Sequence, residues 1–284
     1  MSNPFSGTDD AALSLKMVAA MDALRHAMNR NGDKIDSHTD PNRTGFIGLE
    51  LTPLTTSLGS LVSKRTATNP RFASVVRSML IQAGVKAGEN VAIVASGSFP
   101  SLILASVLAA ESLPAQPLLI SSIGSSTWGA NRTDWTWLDM ERVFLAAGII
   151  QTRTYMTGLG GSADQGPQLF ESGVAVAFQA AHRNGVPVLR TENLNKAIEQ
   201  RLALFMARKP VALINVGGSH VALGGCPHGH TYPGGLIKDR IACNHPDRGL
   251  IIRFLEADVP VINMLNIPAL ARKHGLKIDP VPFQ

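Results

Sequence analysis

Residues 91–113, VAIVASGSFPSLILASVLAAESL, read as a buried strand, a Ser/Gly turn and an apolar helix, and the turn Ser96-Gly97-Ser98-Phe99-Pro100 is where chemistry is first expected. A turn of this kind leaves unpaired N–H groups at the helix start, with the positive end of the helix dipole behind them, and so favours anions. Pro100 suits the first helical turn, where its missing N–H costs nothing. Ser98 is the candidate nucleophile of this turn. It would need a base, and His220, just past a later strand end, is the best-placed histidine, with Asp164 in the loop GGSADQG as the acid to face it. The flanking glycines of a G-x-S-x-G elbow are missing from SGSFP, and an ordinary βα connection with helix-capping serines is the simpler reading of the turn alone.

A second group of donors lies upstream. Thr52, Thr55, Thr56, Ser57, Gly59 and Ser60 lead to the adjacent cations Lys64 and Arg65, the side-chain chemistry that holds carboxylates or phosphates. The segment is expected to fold over the strand-end rim, with one of the two cations facing a pocket and the other paired elsewhere. Similar Gly/Ser turns recur at residues 121–126, which include Ser125 and Ser126, at 158–162, and at Gly217-Gly218-Ser219-His220. Glycine lets backbone N–H groups approach a ligand and serine adds short donors, so four such turns predict a shared polar pocket. The candidate ligand-binding residues are Thr55, Thr56, Ser57, Lys64 and Arg65, then Ser96 and Gly97, then Ser125, Ser126 and Asn131, and Gly217 with Gly218. No phosphate-binding G-x-x-x-x-G-K-[ST] or G-x-G-x-x-G fingerprint occurs, which argues against a standard nucleotide site and leaves no cofactor expected.

Cys226, His228, His230, Cys243 and His245 lie within twenty residues of a Gly/Pro-rich loop, but their spacing matches no standard zinc pattern. Free thiols or one disulfide rank above a metal, and no metal ligands are assigned. Asp139 and Glu141 form an acidic pair, yet Thr136-Trp137-Leu138-Asp139 is a capping-box-like start of a helix, the better account of Asp139. Of Trp128, Trp135 and Trp137, at least two are expected to pack rather than line a pocket mouth.

These groups need a frame. Strand candidates at 91–95, 117–122, 151–157, 186–190, 211–216 and 259–265 alternate with helices at 99–112, 137–147, 167–184, 192–208, 247–257 and 267–274. The pattern predicts an α/β fold, an open and mainly parallel doubly wound sheet with helices on both faces. Ahead of it come a helix over 9–30 and another over 70–83, the latter capped by Asn69 and stopped by Gly84. The expected organisation is an N-terminal helix, 1–32, docked on a single α/β domain, 33–284, with a long polar loop segment at 33–67. That segment exceeds the usual loop length of about 12 to 15 residues and so suggests function or a covering role.

The 284 residues, 45% hydrophobic, suffice for a substantial core, and the net charge of +5 is mild. Lys and Arg are dispersed and only 5% of residues are aromatic, which argues against nucleic acid as a partner. No run approaches the roughly 18 apolar residues of a membrane span and no signal peptide is read, so a soluble chain is expected.

The motifs Thr39-Asp40-Pro41-Asn42 with Gly45, ELTPLTTSLGSLVSKRTATNP, SGSFPSL, SSIGSSTWGAN with WTWLDME, INVGG and RFLEADVPVINMLNI resemble the family of poly-γ-glutamate system proteins, over about residues 35–282. The resemblance implies an accessory role in bacterial production of this anionic, capsule-like polymer, with γ-glutamyl carboxylates or another small carboxylate as ligand. It also implies a place at the cell envelope beside a membrane-bound poly-γ-glutamate synthase, although the hydrophobic anchoring segment typical of the family is not seen here. Two other roles are weighed: an amide hydrolase or transferase acting on γ-glutamyl units with Ser98 as nucleophile, and a structural subunit of the synthase.

Overall fold

A computed structural model describes residues 7–283. In chain order the elements are α1 (Gly7–Arg30), β1 (Thr55–Ser57), α2 (Leu61–Ala67), α3 (Phe72–Ala83), β2 (Asn90–Ser96), α4 (Pro100–Ser112), β3 (Gln116–Ser122), β4 (Ser125–Ser126) and α5 (Trp137–Ala146). There follow β5 (Met156–Gly158), α6 (Gly173–Arg183), α7 (Leu194–Met206), β6 (Ala212–Val216), α8 (His220–Leu223), β7 (Gly235–Ile237), α9 (Leu250–Glu256), β8 (Val261–Met264) and α10 (Ile267–Lys273).

Six strands form one sheet in the order β5-β3-β2-β6-β8-β7, all parallel except the edge strand β7, which runs antiparallel to β8. This is the expected α/β doubly wound architecture. Alternation along the strands divides the interior in two. Val91, Ile93 and Ala95 face the core built with α1, α3, α4, α5, α6 and α10, while Ala92 and Val94 face the one built with α7, α8 and α9. Helix α4 is central: every residue from Pro100 to Ala110 is buried, so it carries apolar side chains all round rather than a stripe. Its serines are satisfied internally, Ser106 donating to the Leu102 carbonyl at 2.7 Å and Ser101 to the Ala67 carbonyl at 2.9 Å, the latter tying α4 to α2.

Some expected elements are shorter than the periodicity suggests. Residues 151–154 do not join the sheet because side-chain carboxylates take N–H groups there, Glu111 accepting from Gln151 and Thr152 and Glu141 from Thr154, while the Tyr155 N–H does reach β3 at the Leu119 carbonyl, 2.9 Å away. The apolar run 186–190 is not a strand. Pro187 has no N–H to give, and the segment makes only an isolated parallel bridge between Val188 and Thr157. Conversely, the polar segment at 33–67 contains β1 and the two-turn helix α2, and β1 pairs with β4 in a separate two-stranded parallel sheet.

Helix α1 packs on α3, α4 and α5 through Leu13, Met17, Met21, Leu24 and Met28. Gly84 ends α3 in the left-handed conformation, and Asp139 closes a capping box with Thr136 at the start of α5. Trp135 and Trp137 are buried, their indole N–H groups donating to Asp33 and Thr154. Cys226 and Cys243 are joined in a disulfide across the loop between α8 and α9. Among the described residues no helix is long and apolar enough to cross a membrane.

Candidate functional site

Strand order reverses between β2 and β6: the chain runs from β2 outward through β3 to β5, then returns to the other side of β2. In open α/β sheets ligands bind beyond the carboxyl ends of the strands at such a point. A cavity of about 470 Å³ lies there, within the usual range for small-ligand sites. The β2–α4 turn contributes Ser96, Ser98 and Phe99, the β3–β4 turn Ser122, Gly124 and Ser126, the loop after β5 Gly161 and Ser162, and the β6–α8 turn Gly218, Ser219 and His220.

A fifth wall comes from the polar segment, which the sheet itself does not position. Thr55 pairs with Ser125 and Ser57 with Ser126 in the β1–β4 ladder, and the Thr127 hydroxyl accepts the Gly59 N–H at 2.7 Å and donates to the Gly59 carbonyl at 3.1 Å. Buried Asn131 secures the approach: its side chain accepts from the Leu49 N–H at 2.9 Å and donates to the Leu49 carbonyl at 2.7 Å and to Thr55 Oγ1 at 3.1 Å. Ser60 then caps α2, accepting from the Ser63 N–H at 3.3 Å. Gly59 is required by contact, since a Cβ there would lie 2.9 Å from Ser126 Oγ and 3.2 Å from Lys64 Cε.

One turn into α2, Lys64 points inward and is only 3% exposed. Its Nζ donates to the Ser98 carbonyl and to Ser126 Oγ, the latter at 2.7 Å, and sits 3.9 Å from the centre of the Phe99 ring. Burial alone pushes this amine down from 10.5 to about 7, with no carboxylate opposing the shift. No Asp or Glu lines the cavity, and Lys64 is its sole Lys or Arg among the described residues. The serines form a connected set. Ser98 Oγ lies 2.9 Å from Ser96 Oγ and accepts the Ser126 N–H at 3.0 Å, while the hydroxyls of Ser122 and Ser219 are buried with no partner. Unpaired buried hydroxyls cost free energy unless something else satisfies them.

The expected cluster is therefore only partly assembled. Thr56, Ser57, Lys64, Ser96, Ser98, Ser126, Gly218 and His220 meet at the cavity. Arg65 does not: it forms a two-point pair with Asp279, its Nε 2.7 Å from Oδ1. The separation of the two cations was expected of an extended strand, but here it arises because neighbours on a helix diverge by about 100°. Thr55, Ser125 and Asn131 are structural, their side chains spent on the loop clasp and on the Ser126 carbonyl. Gly97 and Gly217 shape turns; Gly217 has φ +85° and Gly97 lies against the carbonyls of Ser122 and Ile123.

The triad of Ser98, His220 and Asp164 is not formed. Asp164 is buried against Arg201 at 2.7 Å and accepts the Gly160 N–H at 2.9 Å, so both its oxygens are occupied. Nδ1 of His220 accepts from the Ala163 N–H at 3.1 Å. Of the Cys/His loop only His230 reaches the cavity, and no group of three His, Cys, Asp or Glu side chains that could hold a metal occurs among the described residues. Phe99, Ser122 and Ser219 lie in the turns singled out from sequence but not among the candidate ligand residues; whether a hydroxyl in a Gly/Ser turn is paired depends on neighbours far away in sequence. Comparison with family models, with curated proteins and with solved structures finds no match to this chain.

Proposed function

We propose that the switch-point cavity binds γ-glutamyl chains through their carboxylates, and that the protein is an accessory of poly-γ-glutamate production at the bacterial cell envelope, working beside a membrane-bound synthase. One observation carries the ligand class. Among the described residues the cavity has no acid of its own and its buried amine, Lys64, has no counter-ion, while the buried hydroxyls of two lining serines, Ser122 and Ser219, have no partner. An anion would supply the missing partner to each. The polymer is chosen over other carboxylates by the motif resemblance, and the Cys226–Cys243 disulfide supports an oxidising compartment.

Binding must take up a proton. Lys64 titrates near 7 when the cavity is empty, and a carboxylate beside it favours the ammonium, so affinity is greatest below pH 7 and falls as pH rises toward 9. Calorimetry with tri-γ-glutamate at low salt, in buffers of different ionisation enthalpy, should show binding and proton uptake at pH 7.5. Lys64→Met should weaken binding by about 1.5 to 3 kcal/mol. No heat at low salt, where charge attraction is strongest, removes the reading.

A further inference from the structure

We propose that Ser126 and Lys64 are a nucleophile and its base, and that they cleave amide bonds through an acyl ester on Ser126. The substrate class, a γ-glutamyl amide, rests on the reading above; the dyad itself does not. Ser126 lines the cavity and its Oγ lies 2.7 Å from the Lys64 amine, the separation a base needs to take a hydroxyl proton. Ser98 lacks such a base, because its Oγ is engaged by Ser96 Oγ and the Ser126 N–H. As a neutral amine Lys64 has two N–H bonds and one lone pair. One N–H is directed at the Ser98 carbonyl, which fixes the head group and leaves the lone pair for the Ser126 hydroxyl. Ser122 and Ser219, whose buried hydroxyls have no partner, line the same cavity and would donate to a carbonyl oxygen once turned toward it.

In the first step Ser126 Oγ adds to the amide carbonyl carbon while its proton passes to Lys64, and the carbonyl electron pair moves onto oxygen. Collapse of that oxyanion breaks the C–N bond, and the Lys64 ammonium gives its proton to the departing nitrogen, leaving an amine and the Ser126 ester. Water then adds to the ester carbonyl, losing a proton to Lys64. The C–Oγ bond breaks, the proton returns to Ser126 and a carboxylic acid is released. With Lys64 neutral, the scissile amide rather than a carboxylate sits at Ser126, and the carboxylates of the γ-glutamyl unit are left to the rim donors, including His220 and His230. Cleavage and carboxylate binding then have opposite pH dependence, since one needs the free amine and the other the ammonium.

The full chain, treated with a fluorophosphonate probe from pH 5.5 to 9 and digested for mass spectrometry, should carry the adduct on Ser126, with a labelling rate that rises through about pH 7. His220 and His230 are the other titratable groups facing the cavity, and the inflection should persist in His220→Ala and His230→Ala. Lys64→Met, checked for folding by circular dichroism, should label at least about a hundredfold more slowly. If that variant does not fold, the wild-type pH profile decides. Absence of an adduct, an adduct on Ser98, or a rate indifferent to pH near 7 overturns the dyad, and tri-γ-glutamate binding would then survive without it. A Ser126 adduct with no release of p-nitroaniline from γ-glutamyl-p-nitroanilide and no tri-γ-glutamate binding would retain the dyad and remove the substrate class.

Discussion

Lys64 and Glu141 are buried groups whose protonation is displaced in opposite senses, and both make stability depend on pH. Burial holds the Glu141 carboxyl up near 7 from 4.5, although Thr154 donates to it through both N–H and hydroxyl. The folded protein binds more protons than the unfolded chain between those values, so the stability Glu141 confers is complete below about pH 4.5 and is lost as pH rises through about 7. Lys64 is the reverse case. Its folded value lies near 7 and its unfolded value near 10.5, so the folded state binds fewer protons in that window and stability rises with pH across it. A minimum near neutral pH is expected from these two groups. Urea unfolding should show Glu141→Gln removing the fall below pH 7 and Lys64→Met removing the rise above it, the latter on the order of 5 kcal/mol over the whole window. Unchanged slopes in both variants would show that neither group is buried as described.

At the scale of elements, the site depends on a join that the main sheet does not provide. Strands β1 and β4 are only three and two residues long, too short to hold themselves together, and the buried clasp of Asn131, Thr52 and Thr55 supplies the rest. Asn131→Ala leaves the Leu49 N–H without its partner and removes one of two donors to the Leu49 carbonyl, which keeps the Trp128 N–H at 2.8 Å, and should cost about 1 to 3 kcal/mol. The consequence goes beyond stability: α2 carries Lys64, so residues 49–67 should lose hydrogen-exchange protection while β2, β3 and β6 keep theirs. Equal loss throughout would mean that the wall and the sheet unfold as one unit. Arg65 belongs to the same element but holds its outer side, bridging α2 to Asp279 near the C-terminus.

For the molecule as a whole, the two sides of the sheet are secured differently. On the side of α1 and α4 one continuous apolar core runs from Leu13 to Leu276. On the other, the long connection from α8 to α9 has little regular structure, and the Cys226–Cys243 disulfide closes a loop with a sequence separation of 17. Closure of a loop near that length restricts the unfolded chain by about 3 kcal/mol. Reduction with a thiol reagent should therefore lower the melting temperature, and His230, carried on this loop, should lose its place at the cavity, so tri-γ-glutamate affinity should fall with it. A melting temperature unaffected by reduction would show that the bond contributes nothing to the fold.

The doubly wound sheet is legible from sequence, because alternating apolar runs and helix-period segments are local patterns that survive without knowledge of partners. The sequence also brought Ser96, Ser98, Gly218 and His220 to one rim, since parallel strands in such a fold place every βα turn at the same end. It indicated that Lys64 and Arg65 would part company. What it did not contain was the partner of each polar group. Asp164 reads as a candidate acid until Arg201, far along the chain, is seen to occupy it, and Ser126 is one serine among many until β1 and α2 fold over it and bring an amine to its hydroxyl. Run 186–190 looked like a strand because apolar content is visible in sequence whereas a missing ladder donor matters only beside a neighbour. Contacts between residues distant in sequence decided which groups are structural and which remain open to a ligand, and those contacts exist only once the chain has packed.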